Sequence, residues 1–204
     1  METTYIEIDS PDKHLSDVLE EIPSNVILYK TLTGIGATYS EIKAQRHSII
    51  IEPNVPVIIG KCNSAKHKND NLLGVYEGVT TDRIIKYLGA SRGKYYKILT
   101  TPESFTKVKD AFLIFNGKIY NTCFLLIDEA HKTIKDVDYR SDIVLPMNDF
   151  FKFKGKALVS ATPLKFSDPR FEENGFSIIK IEPTYDYAKE IDIKPSTNIL
   201  REVW

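Results

Sequence analysis

Short apolar runs alternate with amphipathic stretches along most of the chain. Seven runs are rich in β-branched and aromatic residues, and most are apolar at consecutive positions, which is typical of strands buried on both faces. These predicted strands are 26–29, 48–52, 72–76, 95–99, 123–127, 157–160 and 176–181. Between them, residues 81–88 and 102–112 show the spacing of amphipathic helices. Strands that alternate with helices predict an α/β fold, in which a parallel sheet lies between two layers of helices.

The two ends of the chain differ from this pattern. Ser10 suits a helix N-cap, and apolar residues recur at helical spacing as far as Ile22. We therefore expect residues 1–24 to form a helical lead-in. Residues 183–204 are charged and contain proline, which is typical of a linker. The α/β domain itself is expected to span residues 25–182.

Composition narrows the class of protein. Of the 204 residues, 42% are hydrophobic and 27% are charged, as in an average soluble globular domain, and two are cysteines. These values exclude a disordered tail, a collagen-like fibre and a disulfide scaffold. Lys and Arg number 27 and Asp and Glu 28, so a phosphate-bearing partner must be held by a local patch. No segment looks like a signal peptide or reaches the ~20 apolar residues of a membrane span, so we expect a cytoplasmic protein without membrane contact.

A glycine-rich turn follows the first predicted strand. Ligands of a parallel sheet bind beyond the carboxyl ends of its strands. Here the segment 30–38 (KTLTGIGAT) contains Gly34 and Gly36 before a helix-compatible run. The backbone N–H groups of such a turn can hold phosphate oxygens. An ordinary strand-to-helix turn with two glycines is the alternative, because short glycine motifs are frequent.

Two adjacent carboxylates end another strand. Asp128 and Glu129 directly follow the run 123–127. A carboxylate at a strand tip can hold the water shell of Mg²⁺, and its neighbour can take a proton from an attacking water. A solvated acidic turn is the alternative. Ser160 and Thr162 place hydroxyls at a further strand tip of the same edge, where by themselves they indicate only a cap or a turn.

Together these segments resemble the DEAD/DEAH-box helicases of superfamily 2. The stretches that correspond to motifs I, II and III occur in the family's order and are 33–38 (TGIGAT), 125–131 (LLIDEAH) and 160–162 (SAT). Two further stretches look like motifs Ia and Ib and are 50–54 (IIEPN) and 99–103 (LTTPE). The resemblance covers about residues 24–182. It implies a three-layer, RecA-like P-loop NTPase domain, the first of the two that such an enzyme contains.

The resemblance implies ATP and Mg²⁺ as cofactors. The segment expected to wrap the nucleotide phosphates consists of Thr33, Gly34, Ile35, Gly36, Ala37 and Thr38. Thr38 and Asp128 would hold Mg²⁺, and Glu129 would orient and deprotonate the hydrolytic water. His131 would lie near the cleft and link the nucleotide state to motif III.

The resemblance also implies nucleic acid as a partner, with DNA and RNA left open. Ser160 and Thr162 would couple ATP hydrolysis to strand movement. The groove for the nucleic-acid backbone would be lined by Pro53, Asn54, Thr101 and Pro102. Lysines flank the polar run 63–71, and basic residues adjoin two tyrosines in 92–97 (RGKYYK). Basic residues beside aromatic ones suit backbone contacts and base stacking, but they are equally typical of a solvated surface.

One residue departs from the family pattern. Ala37 stands where the family's phosphate-binding lysine is expected, and a methyl group cannot replace a charge that reaches the β- and γ-phosphates. Such a loss should slow turnover by on the order of 10²–10⁴. Three interpretations stay open. Another cation, of which Lys30 is nearest in sequence, supplies the charge; the domain binds nucleotide without efficient turnover; or it is a degenerate module that binds nucleic acid or a protein partner.

A rival of a different class is an unrelated Mg²⁺-dependent phosphohydrolase built on Asp128 and Glu129. Such an enzyme would have no need of the stretch 160–162.

Length is the second departure from the family. A motor of this kind needs a second RecA-like domain, which closes the cleft and supplies arginines, but the chain ends about forty residues after Thr162. We therefore expect a fragment of a longer protein, or a partner chain that completes it, and no unwinding by this domain alone.

Overall fold

The structure is a computed structural model that describes residues 1–32, 34–135, 144–162 and 168–186. Within these ranges the strands are β1 (Thr3–Ile8), β2 (Val26–Lys30), β3 (His47–Ile51), β4 (Leu72–Val75), β5 (Lys97–Thr100), β6 (Cys123–Ile127), β7 (Gly155–Ser160) and β8 (Ser177–Pro183). The helices are α1 (Leu15–Val18), α2 (Ala37–Lys43), α3 (Val55–Asn63), α4 (Thr81–Ala90), α5 (Phe105–Phe115), α6 (Ile119–Thr122), α7 (Ala130–Lys135), α8 (Val144–Phe150) and α9 (Arg170–Glu173), with a 3-10 turn at Ala65–His67. Thr33 and most of the expected linker, residues 187–204, lie outside the described residues.

The eight strands form one sheet in which every neighbouring pair is parallel. Their order across the sheet is β1-β8-β2-β7-β6-β3-β5-β4. The predicted α/β fold with a parallel sheet is confirmed. Because all strands point the same way, their carboxyl ends form one edge, and β2, β7, β6 and β3 are consecutive along it.

The consecutive apolar runs serve two cores, one on each face of the sheet. Every residue of β6 is buried; Cys123, Leu125 and Ile127 pack into one core, and Phe124 and Leu126 into the other. Buried side chains of α4, α5 and α8 belong to the first core, and those of α1, α2 and α3 to the second. Helices therefore cover both faces, and the predicted three layers are confirmed.

The N-terminal segment is not the helical lead-in predicted for residues 1–24. It contributes the edge strand β1, which pairs in parallel with β8, and α1 is a single helical turn. The edge of the sheet offers free backbone groups of β8, and alternate residues of β1, Ile6 and Ile8, pack into the core. Leu15 of α1 is fully buried, and its N–H donates to the carbonyl of Ile35 at 2.8 Å. The helical turn therefore covers the loop before α2.

The other predicted strands and helices are present, with ends shifted by up to three residues. Strand β5 begins two residues later than predicted because the N–H of Tyr96 donates to Nδ1 of His47 at 2.9 Å instead of to a neighbouring strand. Helix α5 begins at Phe105 because a turn precedes it, in which the N–H of Ser104 donates to the carbonyl of Thr101 at 3.2 Å. None of the helices in the described part of the chain combines the length and the apolar character needed to cross a bilayer.

Candidate functional site

Four neighbouring strand ends carry polar side chains. In the order β2, β7, β6 and β3 they are Lys30, Ser160, Asp128 and Glu52. Side chains alternate between the two faces along a strand. Two residues before Lys30, Asp128 and Glu52, each strand carries an apolar residue of the core that α1–α3 cover. These three charged side chains therefore share the α2 side of the sheet, whereas Ser160 belongs to the opposite face.

Lys30 joins the two carboxylates that follow β6. Its Nζ lies 3.0 Å from Oδ1 of Asp128 and 2.8 Å from Oε1 of Glu129, so the side chain reaches past β7, the strand between β2 and β6. Burial lowers the pKa of Lys30, but the charges of the two carboxylates outweigh burial and hold that pKa above its ordinary value. Lys30 is therefore an ammonium group inside the site.

Thr38, in the first turn of α2, lies between two carboxylates. Its hydroxyl Oγ1 is 2.5 Å from Oδ2 of Asp128 and 3.1 Å from Oε1 of Glu52. Burial raises the pKa of Asp128, but the charge of Lys30 and the hydrogen bond from Thr38 outweigh it and lower that pKa below its usual value. Asp128 is thus an anion that the surrounding donors stabilise, and oxygen atoms from α2, β3 and β6 converge at one point.

Glu52 brings a third carboxylate to the cluster. It is 2% exposed and pairs with the ammonium of Lys61 on α3. Burial and the charge of Asp128 raise the pKa of Glu52, and Lys61 and Thr38 oppose them in part. The pair joins α3 to the end of β3. The carboxylates of the site are therefore held by Lys61 from α3, Thr38 from α2 and Lys30 from β2.

The glycine loop and the charged cluster line a single cavity of about 350 Å³. This volume is within the range of small-molecule sites, about 300–1,000 Å³. Gly34 and Gly36 have φ of +83° and +88°, a left-handed conformation that glycine adopts without steric cost. The two glycines, Ala37 and Thr38 line the same cavity as the carboxylates, and Thr38 contacts Asp128 directly. A ligand there would contact loop backbone and charged side chains together.

Glu129 has an unusual backbone. Its φ is +50°, in the left-handed region that non-glycine residues seldom adopt, and its N–H donates to Oδ1 of Asp128 at 2.9 Å. Strain of this kind, of order 1–3 kcal/mol, persists where surrounding contacts hold it and is concentrated at functional sites. The turn directs Glu129 into the cavity beside Lys30.

His131 connects the turn after β6 to the end of β7. Its Nδ1 lies 3.1 Å from Oγ of Ser160 and 3.4 Å from Oε2 of Glu129. The hydroxyl of Ser160 donates its single proton to the carbonyl of Thr162 at 2.7 Å and accepts from the N–H of Thr162 at 3.1 Å. Toward His131 it can only accept, so the arrangement requires a proton on Nδ1.

The structure brings most of the predicted nucleotide and catalytic residues together. Lining one cavity are Gly34, Gly36, Ala37, Thr38, Asp128 and Glu129. His131, Ser160 and Thr162 form a hydrogen-bonded group beside Glu129. Ile35 instead packs into the core and is 6% exposed. Thr33 lies outside the described residues.

The four residues predicted to contact nucleic acid do not share one surface. Pro53 and Asn54 follow β3 and line the cavity, with Asn54 exposed. Thr101 and Pro102 are buried, and the N–H of Thr101 donates to the carbonyl of Val75 at 3.2 Å. Only the first pair is therefore accessible from the cavity in the described part of the chain.

The basic and aromatic run 92–97 lies at the amino end of β5, on the edge of the sheet away from the cavity. Lys97 is not a surface cation. It is 3% exposed, and its Nζ donates to the carbonyls of Glu41 and Ala44 at 2.7 and 2.8 Å and to Oγ of Ser48 at 3.0 Å. Lys97 therefore holds the end of α2 to the sheet, and Arg92, Lys94 and Tyr95 stay exposed.

Glu52 had no predicted catalytic or binding role, and Lys61 was considered only as one of the lysines beside the polar run 63–71 that suit contacts to nucleic acid. The signal for Glu52 was its place directly after a buried strand, as for Asp128, since both carboxylates end at the same edge of the sheet. Lys61 carries no such signal. Its position in the site depends on the packing of α3 against the end of β3.

The comparisons with known proteins show the fold. No model of a protein family matches the chain, and no curated protein sequence matches it. A hypothetical ATP-dependent RNA helicase from Sulfolobus tokodaii is similar in structure, with a TM-score of 0.52 and 16% identity over 77% of this chain and 48% of that one. The Hef helicase domain from Pyrococcus furiosus is similar with a TM-score of 0.51 and 14% identity over 84% of this chain and 38% of that one.

This chain therefore spans about half or less of the length of those structures. At these identities the likeness concerns the fold alone. The α/β domain with its parallel sheet is of the kind found in the RecA-like domains of helicases. The predicted RecA-like fold is thereby confirmed.

Proposed function

We propose that this chain is the ATP-binding first domain of a DEAH-type helicase or translocase, which couples ATP hydrolysis to movement on nucleic acid. One observation carries the proposal. The glycine loop, the hydroxyl of Thr38 and the carboxylates of Asp128 and Glu129 line one cavity at the carboxyl edge of a RecA-like sheet. Both similar structures, a hypothetical ATP-dependent RNA helicase and a helicase domain, support the same assignment.

The donor set fits Mg²⁺. Magnesium prefers oxygen ligands, and in nucleotide sites it takes one or two from the protein and the rest from water and phosphate. Thr38 Oγ1 and Asp128 Oδ2 are such oxygens, 2.5 Å apart at the wall of the cavity. The bound ion would neutralise charge on the phosphates.

Glu129 is the proposed general base. The oxygen of a water molecule attacks the terminal phosphorus of ATP, the bond from that phosphorus to the bridging oxygen breaks, and its electron pair leaves with ADP. The water's proton passes to the carboxylate of Glu129, and the products are ADP and inorganic phosphate. His131 contacts both Glu129 and Ser160, and we assign it and the 160–162 segment to the coupling between hydrolysis and strand movement.

Nucleic acid would bind at the rim of the cavity, where Pro53 and Asn54 follow β3. A complete motor would need a second RecA-like domain, in the parent protein or in a partner chain, to close the cleft.

A second candidate function is a module that binds nucleic acid or a protein without turnover. Ala37 favours this candidate, because the loop has no charge at the position where the resemblance implies a phosphate-binding lysine.

A titration tests nucleotide binding. A fluorescent ATP analogue is added to the chain in Mg²⁺ and again in EDTA, and binding is expected to depend on Mg²⁺. Asp128→Asn should abolish that dependence. Asp149→Asn is a matched control, because Asp149 is also a buried carboxylate, held by Lys109, Lys152 and Tyr120 in the opposite core layer.

ATP hydrolysis is then measured with and without single-stranded RNA or DNA. Stimulation by either strand supports the motor domain. Binding of the strand without any turnover of ATP supports the second candidate. Absence of Mg²⁺-dependent nucleotide binding in the wild-type chain contradicts the proposed ATP site.

A further inference from the structure

Lysines line the cavity, although the glycine loop has an alanine, Ala37, where a phosphate-binding lysine is expected. Ala37 is 3% exposed and packs into the core on the α2 side of the sheet. The charged groups that line the cavity are three carboxylates and three ammonium groups, contributed by Lys30, Glu52, Lys61, Asp128, Glu129 and Lys132. A polyphosphate is an anion that these lysines can attract, and Lys30 and Lys61 would each exchange a carboxylate partner for it.

Lys61 and Lys132 are less suited than Lys30 to bind the phosphate. Lys61 is the ammonium partner of Glu52, which is 2% exposed, and its departure would leave a buried carboxylate without its counter-charge. Lys132 lies on α7 at the cavity and is exposed. An exposed lysine is solvated and screened, and so it contributes little binding energy.

Lys30 differs from Lys132 in being buried, and from Lys61 in pairing with both carboxylates of the turn after β6. It is 6% exposed and ends a strand that has hydrogen-bonded neighbours on both sides, β7 and β8, so its backbone is fixed. Its ammonium lies within 3.0 Å of Asp128 and 2.8 Å of Glu129, at the carboxylates proposed to serve the metal and the attacking water. A terminal phosphate beside Glu129 would therefore be within reach of Lys30.

The other buried lysines show what a purely structural lysine looks like here. Lys97 donates to two backbone carbonyls and a serine hydroxyl, and Lys156 donates to the carbonyl of Phe153 and to Oδ1 of Asn174, both at 3.1 Å. Both lysines lie toward the amino ends of their strands, away from the cavity. Lys30 instead lines the cavity and pairs with groups of the site itself.

We propose that Lys30, from the end of β2, supplies the phosphate-binding charge that the loop lacks at Ala37. The inference rests on the proposed ATP site and names a further catalytic residue in it. In the absence of nucleotide, Lys30 pairs with Asp128 and Glu129. When ATP binds, its terminal phosphate replaces the carboxylates as the partner of Lys30. The carboxylate of Glu129 is then free to accept the water's proton. Lys30 keeps its own proton throughout.

The proposal is tested by moving the lysine from position 30 to position 37. The affinity of the chain for Mg²⁺–ATP and Mg²⁺–ADP and its rate of ATP hydrolysis are measured for Lys30→Met, Ala37→Lys and the double variant Lys30→Met/Ala37→Lys. Lys30→Met should weaken ATP binding about 10- to 100-fold and ADP binding much less, because the contact is to the terminal phosphate. Hydrolysis should fall by about 10²–10³-fold. The double variant should recover most of the ATP affinity, since it returns a lysine to the lining of the same cavity.

Two controls separate this role from a structural one. Lys156→Met removes a buried lysine at the other edge of the sheet and should leave the preference for ATP over ADP unchanged. Lys30→Gln keeps a hydrogen-bond donor for the carboxylates and should behave as Lys30→Met does, so a folding defect in the methionine variant does not decide the result. Thermal unfolding reports the folded fraction of each variant.

The outcomes are distinct. If wild type binds Mg²⁺–ATP and both Lys30 variants bind and hydrolyse it equally well, the role of Lys30 is wrong and the ATP site stands. If Ala37→Lys alone raises affinity while loss of Lys30 has no effect, the loop is a degraded site without a substitute. If wild type binds no nucleotide, the proposed function itself fails.

Discussion

The hydroxyl of Thr38 lies 2.5 Å from Oδ2 of Asp128, although 90 residues separate the two in sequence. Thr38 lies in the first turn of α2 and Asp128 follows β6, so the contact joins the start of the helix after the glycine loop to the carboxylate turn. A metal ion that takes both oxygens as ligands must replace this hydrogen bond. The geometry therefore makes Thr38 a sensitive position for any Mg²⁺-dependent function.

Thr38→Val is expected to remove the dependence of ATP affinity on Mg²⁺. Valine has nearly the shape of threonine but no oxygen, and it also removes the hydrogen bond that Thr38 donates to Oδ2 of Asp128. Thr38→Ser keeps the hydroxyl and should retain the dependence. The measurement is nucleotide affinity in Mg²⁺ and in EDTA, and equal behaviour of the two variants would contradict a metal role for this hydroxyl.

Glu129→Gln should bind Mg²⁺–ATP and fail to turn it over. The amide keeps the size of the side chain but cannot accept the water's proton, so hydrolysis should drop by about 10²–10⁴-fold. Glu173→Gln, at an exposed residue of α9, should hydrolyse ATP as wild type does. Phosphate release and equilibrium binding are measured on the same samples, and undiminished release from Glu129→Gln would exclude Glu129 as the base.

The contact of 3.1 Å between His131 and Ser160 should appear as an energetic coupling. In a double-mutant cycle of His131→Ala and Ser160→Ala, urea unfolding should give an interaction free energy of about 0.5–1.5 kcal/mol. The coupling is expected because the Nδ1 proton has one fixed acceptor. Strictly additive changes in the free energy of unfolding would show that the two side chains do not interact in solution.

Lys97 should contribute stability that increases with pH above about 8, whereas Cys123, whose pKa burial raises to about 12, contributes in the opposite direction above about pH 9. Burial lowers the pKa of Lys97 to about 8 from 10.5, and the charge of Glu41 offsets only part of this shift. Between these values Lys97 binds more protons in the unfolded chain than in the folded one, so its contribution to the free energy of unfolding increases with pH, by about 3 kcal/mol over the window. Below pH 8 both states are protonated and the effect is absent.

The contribution of Lys97 is measured by denaturant unfolding between pH 7 and 10.5, as the difference in pH slope between wild type and Lys97→Met. Lys97→Met should lose it, because no group then titrates at that position. Lys154→Met, at an exposed lysine just before β7, should keep it. An unchanged slope in Lys97→Met would assign the pH dependence to another group.

The N-terminal strand β1 could not be predicted from the local pattern of apolar and polar residues. Its alternating side chains are mostly exposed, and a strand of this kind at an edge has little apolar signal of its own. The backbone groups of β8, far away in sequence, decide its conformation. The neighbouring helical signal reduces to one turn because Leu15 is held at the loop before α2.

Local sequence was sufficient for the central strands and for the carboxylate turn. The run of β6 is apolar at consecutive positions, which indicates burial on both faces, and Asp128 and Glu129 must then lie at its end, on the edge where ligands of a parallel sheet bind. Only the tertiary structure decided which groups surround them. The strand order β2-β7-β6-β3 and the alternation of side chains bring Lys30 and Glu52 to Asp128, and no sequence pattern encodes the distance between strands that are adjacent only in space.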